Sequence, residues 1–194
     1  MAEIRSICIF CGSSLGSDPR FREGAARLGQ LLAEAGVELV YGGGNIGLMG
    51  VVADAALDAG GKVIGIIPKD LQRAELAHQG LHELIIVSSM HERKRAMFER
   101  ADAFVALPGG PGTLDETIEI ITWRQLRLHD KPIIIVDDGG YWQPLIQLID
   151  HTIAHGFARD TTRDLYTLVG DVDEVLPTIS RLAAPKIADR PDQT

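Results

Sequence analysis

The sequence predicts a doubly wound α/β domain, a mainly parallel sheet with helices on both faces. Three observations predict it. Short apolar runs alternate with helical stretches along the chain. Most of those runs are continuously apolar, as strands buried on both faces require. Glycine or serine loops follow several of them, at the carboxyl ends of strands, where ligands bind in such sheets.

Taken in order, Ile4 to Phe10 reads as the first strand, followed by the loop Cys11-Gly-Ser-Ser-Leu-Gly-Ser-Asp. Asp18 and Pro19 are an N-cap and N1 pair for a helix to about Ala35, which Gly36 ends. Val37 to Tyr41 is the second strand, Gly42 to Gly50 a glycine loop, and Leu48 to Ala59 a small-residue helix. Lys62 to Ile67 is the third strand, and Pro68 to Gly80 a polar connection placed to cover a site. Leu84 to Val87 is the fourth strand, Met90 to Ala101 a charged helix, and Ala103 to Leu107 the fifth strand. Pro108-Gly-Gly-Pro-Gly112 breaks that strand, and Thr113 to Glu116 opens a helix expected to turn Ile118, Ile121 and Leu126 inward. Pro132 to Val136, a helix over Trp142 to Ile153, a strand at Tyr166 to Val169 and a helix from Val172 to Leu182 complete the pattern. No repeat or linker interrupts it, so residues 1–183 are expected to form a single domain and 184–194 a frayed tail.

At 194 residues the chain suits one domain with a proper core. Its formal net charge of −8 argues against a nucleic-acid partner but leaves room for a small anionic ligand held by a local cluster. No apolar run approaches the roughly 20 residues of a membrane span, and MAEIRS lacks a signal-peptide layout, so a cytoplasmic protein is expected.

The loop from Pro108 to Gly112 is the strongest site signal. Strand, glycine loop and helix start converge free N–H groups and the positive end of a helix dipole, the makings of a phosphate site. Thr113-Leu-Asp-Glu116 also fits a capping box, in which Glu116 would be structural. In Met90-His-Glu-Arg-Lys-Arg, Arg93 and Lys94 occupy the first turns of a helix, where cations oppose the dipole. They are poor choices for stability and good ones for clamping an anion, although Glu92 and Glu99 allow a plain solvated face.

Other patterns are weaker. Gly42-x-Gly44-x-x-Gly47 satisfies the dinucleotide spacing, but the third strand ends in Ile66-Ile67-Pro68 without a ribose-binding acid. Gly12-x-Ser14-x-Gly16 matches a nucleophile elbow on paper, yet Pro19 starts the helix too late. Ser13 and Ser14 read better as hydrogen-bond donors to a ligand. Cys8 and Cys11 have C-x-x-C spacing, but Cys8 lies within a strand and no second pair exists for zinc. His151 and His155 share a helix face, with Thr152 where the zinc signature needs Glu. No P-loop sequence occurs.

Pro108-Gly-Gly-Pro-Gly-Thr-Leu-Asp-Glu116, with Arg93-Lys94, Cys11-Gly-Ser-Ser14, Gly42 to Gly50 and Met90-His91, resembles the LONELY GUY-type cytokinin riboside 5′-monophosphate phosphoribohydrolases. The likeness runs from the first strand to about Pro132. It implies a Rossmann-like homodimer that hydrolyses the N-glycosidic bond of an adenine-type nucleoside 5′-monophosphate, with no metal or organic cofactor. On that resemblance Glu116 and Arg93 are the catalytic residues. Gly109, Gly110, Gly112 and Thr113 hold the 5′-phosphate. Lys94, Met90, Ser13, Ser14, Gly43, Gly44, Glu75 and Thr122 are further substrate contacts. The alternative is a non-catalytic nucleotide or cofactor carrier on the same fold, which would need the glycine loop but not Glu116.

Overall fold

The computed structural model describes residues 4–72 and 76–183. Among them seven strands, β1 (Ser6–Phe10), β2 (Glu38–Tyr41), β3 (Val63–Pro68), β4 (Glu83–Val87), β5 (Ala103–Ala106), β6 (Ile133–Val136) and β7 (Thr167–Val169), form one sheet. Its order is β4-β3-β2-β1-β5-β6-β7 and every pairing is parallel. The helices are α1 (Pro19–Glu34), α2 (Gly47–Asp58), α3 (Met90–Arg100), α4 (Pro111–Gln125), α5 (Gln143–Ala154) and α6 (Val175–Ala183). None is long and apolar enough to cross a membrane.

The apolar runs become strands because helices cover both faces. Leu28 and Leu32 of α1, Val52 and Ala56 of α2 and Ile179 of α6 pack with Ile7, Ile9, Leu39 and Val105 on one side. Met97 of α3, Ile120 and Ile121 of α4 and Leu145 and Ile149 of α5 pack with Cys8, Val40, Phe104 and Ile135 on the other. The small residues of α2 bring it close to α1: a Cβ on Gly29 would lie 2.4 Å from the Val52 carbonyl oxygen. β1 starts later than the apolar run because Asp102 accepts the N–H groups of Arg5 and Ser6 at 2.8 and 3.1 Å.

Two expectations need correction. Ile121 points inward, but Ile118 is 38 % and Leu126 63 % exposed; α4 buries Thr113, Thr117, Ile120 and Ile121 instead. Starting the helix two residues earlier, at Pro111, does not alter its phase; the inward face of α4 follows its contact with β1, β5 and β6, and the remaining stripe is left at the surface. The stretch from Val172 opens with a 3₁₀ turn, Val172–Glu174, before α6 begins. The predicted tail, 184–194, lies outside the described residues.

Aromatic packing anchors the α3–α4 side. Phe104 is fully buried, with the Phe10 and Phe98 rings stacked 5.9 and 5.7 Å from it. Replacing Phe104 with Ala leaves a ring-sized cavity and is expected to lower stability by about 3–5 kcal/mol, read from the urea unfolding midpoint.

Candidate active site

The chain leaves β1 for β2, β3 and β4 in one direction, then returns to place β5 on the other side of β1. A switch point therefore lies between the carboxyl ends of β1 and β5, where the two following loops must diverge and leave a crevice. Gly12 N–H donates to Pro108 O at 3.0 Å and Leu48 N–H to Gly12 O at 3.0 Å, joining the loops after β1, β2 and β5. These segments touch backbone to backbone. A Cβ on Gly47 would sit 2.2 Å from Ser13 C, and one on Gly109 would sit 2.8 Å from Gly12 N.

The loop after β5 runs directly into α4. Gly110 is the N-cap, Pro111 is N1, and no side chain caps the helix. Thr113 therefore occupies N3 and Glu116 lies deeper, which excludes the capping-box arrangement because that needs Thr at the cap and Glu at N3. The first intrahelical bond shown is Leu114 N–H to Gly110 O at 3.0 Å, so the Gly112 and Thr113 N–H groups precede the ladder, as an anion site requires. Glu116 follows these two by about one turn, roughly 5.4 Å, on the same side of the helix.

Arg93 enters from α3, whose N-cap Ser89 accepts the Glu92 N–H. Its side chain is buried, 4 % exposed. Nε donates to Ile66 O at 3.0 Å and Nη2 to Gly42 O at 2.7 Å, a carbonyl within β3 and the one just after β2. Gly42 makes room for it: a Cβ there would lie 2.1 Å from Nη2.

Arg93, Glu116, Gly112 and Thr113 share a cleft of about 200 Å³ with Met90, Ser13 and Gly110. Both charges are felt at the end of β1. Burial first, then the Glu116 carboxylate, push the Cys11 thiol well above its ordinary range. Cys8 is raised by burial, Glu116 and Cys11, against smaller lowering by Arg93 and Lys131. Neither thiol is a ready nucleophile.

The other predicted contacts are placed differently. Ser14 and Gly109 line an adjoining cleft of about 310 Å³, joined to the first through Ser13, Gly110 and Pro111. Gly43 and Gly44 are buried behind the loop after β2, with Gly43 O accepting the His78 N–H at 3.0 Å and Gly44 bridged to Ala77. Lys94 reaches α4 at Glu119 (2.9 Å) and Asp115 (3.1 Å), tying α3 to α4 beside the cleft. Thr122 lies further along α4, its hydroxyl donating to Ile118 O at 2.8 Å. Glu75 lies outside the described residues.

Sequence reasoning missed Cys11, Met49, Leu71 and Asp115 as lining residues of the cleft. Asp115 stands at a variable position of the glycine-loop motif, and Leu71 comes from the connection after β3. Phe21 and Tyr141 of the adjoining cleft gave no signal beyond an amphipathic helix and a turn.

Comparison with known proteins follows the same lines. The family model described as "possible lysine decarboxylase" matches residues 49–179. A cytokinin riboside 5′-monophosphate phosphoribohydrolase of Arabidopsis thaliana is 43 % identical over 94 % of this chain and 88 % of its own. One of Rhodococcoides fascians is 42 % identical over 90 % of this chain and 89 % of its own. Among solved structures, the molybdenum cofactor binding protein of Rippkaea orientalis superposes with a TM-score of 0.71 at 20 % identity, over 95 % of this chain and all of that one. That likeness is one of fold. The family model and the curated relatives together show that the chain belongs to the LONELY GUY family, the one described as possible lysine decarboxylases.

Proposed function

We propose that this chain hydrolyses the N-glycosidic bond of cytokinin riboside 5′-monophosphates, and of AMP, to free base and ribose 5-phosphate. The observation that carries the reading is the juxtaposition of an anion-binding helix start, a carboxylate one turn along it and a buried guanidinium in the same cleft. The names of the relatives supply the substrate class.

Gly110, Gly112 and Thr113 hold the 5′-phosphate, and Gly109 lets the loop approach it. Phosphate binding places C1′ beside Glu116 and uses remote binding energy to orient the reacting bond. As the C1′–N9 bond lengthens, its electron pair leaves with the base and positive charge develops on the ribose. The Glu116 carboxylate stabilises that charge and takes a proton from the water whose oxygen bonds to C1′; that proton is returned through solvent to the departed base, which leaves neutral. Arg93, immobilised by two carbonyls, orients the substrate and stabilises the departing base. Met90 and Ser13 border the substrate from the rim and the loop after β1.

The partner is a second copy of the chain. Leu114, Ile118, Thr122 and Leu126 recur every four residues along α4 and are all exposed. An apolar stripe of this kind suits a two-fold interface.

Chromatography of AMP and isopentenyladenosine 5′-monophosphate reactions should show free base and ribose 5-phosphate from the wild type. Glu116→Gln should retain nucleotide binding while kcat falls by about 10²–10³-fold, and intact nucleotides after incubation with the wild type would sink the assignment. Gly42→Ala displaces Arg93 without touching its chemistry and is expected to cost about tenfold to a hundredfold in kcat/KM. Light scattering should find two 21.0 kDa chains per particle for the wild type and one for Ile118→Lys combined with Leu126→Asp. A monomeric wild type would exclude the dimer.

A further inference from the structure

The loop between β6 and α5 makes an unusual turn. Asp138–Gly140 is a 3₁₀ turn in which Gly139 and Gly140 both have positive φ, +62° and +79°. Side chains rarely adopt that conformation, so the glycines are needed for the chain to double back here. Asp137 fixes the outgoing end, accepting the Trp142 N–H at 2.7 Å and a hydrogen bond from the Gln143 side-chain amide. What the turn delivers is Tyr141.

Tyr141 lies over the glycine loop after β5. Its ring packs edge-on against Phe21 of α1 at 5.3 Å and against Trp142 at 5.1 Å. Its hydroxyl donates to Gly109 O at 2.6 Å, although the residue is 38 % exposed and water was available to it. Packing alone would be met by phenylalanine; the hydroxyl adds a hold on one peptide group.

That peptide is the one between Gly109 and Gly110, and it is trans. A trans peptide directs its C=O and N–H to opposite sides. With the Gly109 carbonyl drawn toward Tyr141, in the adjoining cleft, the Gly110 N–H is turned away from Tyr141, and Gly110 also lines the cleft of Arg93 and Glu116. Two flanking glycines would otherwise let this peptide flip at little steric cost.

We propose that Tyr141 is a positioning residue: its hydroxyl locks the Gly109–Gly110 peptide so that the Gly110 N–H joins those of Gly112 and Thr113 as a third donor to a phosphate. This rests on reading the Gly110–Thr113 loop as the phosphate site. In this role Tyr141 acts through one main-chain group.

Tyr141→Phe keeps the ring contacts and removes only the hydroxyl. Calorimetric titration should show its affinities for inorganic phosphate and for ribose 5-phosphate falling together by about fivefold to tenfold, with adenosine affinity unchanged. In kinetics KM for AMP rises by the same factor while kcat stays within about twofold, and the melting temperature moves by about 2 °C at most. Equal phosphate affinity in the two proteins, including no measurable binding by either, overturns the inference, as does a fall in kcat at unchanged KM. A wild type that binds phosphate more tightly than Tyr141→Phe but leaves AMP intact supports the role of Tyr141 and counts only against hydrolysis.

Discussion

The site depends on the contact of three backbone segments at the switch point of the sheet. The loops after β1, β2 and β5 meet through Gly12, Gly47 and Gly109, so closely at Gly47 and Gly109 that a Cβ would force the backbone apart, and tightly at Gly12. A methyl on Gly47 would stand 2.2 Å from Ser13 C, and one on Gly12 3.2 Å from the Gly109 Cα. With the loops joined in this way, main-chain groups occupy the mouth of the crevice, and the N–H groups of the first turn of α4 open onto a cleft rather than onto packed side chains. The charged chemistry then has to come from neighbouring helices, Arg93 from α3 and Glu116 from α4.

Arg93 shows what that arrangement costs and how the cost is offset. A guanidinium buried to 4 % exposure loses most of its hydration. Its compensation includes two carbonyls, Ile66 within β3 and Gly42 just after β2, which the planar fork reaches together. A lysine would meet them as a single flexible point charge. The absence of a side chain at Gly42 thus serves Arg93, which gives the glycine loop after β2 a role other than phosphate binding. The same loop braces the site from behind, through Gly43 and Gly44, against the segment at Ala77 and His78.

The parallel sheet was legible in the sequence because strands buried on both faces must be continuously apolar, and all seven were visible as such runs or their remnants. The strand, glycine loop and helix start of the candidate site were legible because they have a compositional signature. The inward face of α4 was not. Ile118 and Leu126 are as apolar as Ile121, and nothing in their spacing says which stripe meets the sheet when a helix carries apolar residues on more than one side. The different directions of Arg93 and Lys94 were hidden for a related reason: adjacent basic residues diverge by about 100° on a helix, so Arg93 turns into the crevice while its neighbour reaches Asp115 and Glu119. Tyr141 was invisible because its role depends on a contact across 32 residues and on the direction of one peptide group.

The fold by itself does not separate a hydrolase from a carrier. Proteins of 19–20 % identity, including the molybdenum cofactor carrier protein of Chlamydomonas reinhardtii, share it with TM-scores of 0.66–0.71. On the proposed reading the separation lies in Glu116. A site that only holds a phosphate gains from a helix start and loses from a carboxylate one turn away. Two unit negative charges roughly 5.5 Å apart repel by about 3 kcal/mol at an effective dielectric constant of 20. Binding alone therefore favours a neutral residue at that position. The carboxylate becomes favourable when positive charge develops between it and the phosphate, as it does on a ribose losing its base. On the proposed reading, placing Glu116 on the same helix that would hold the anion fixes the distance between the two, so the group that weakens ground-state binding would stand where the transition state is charged.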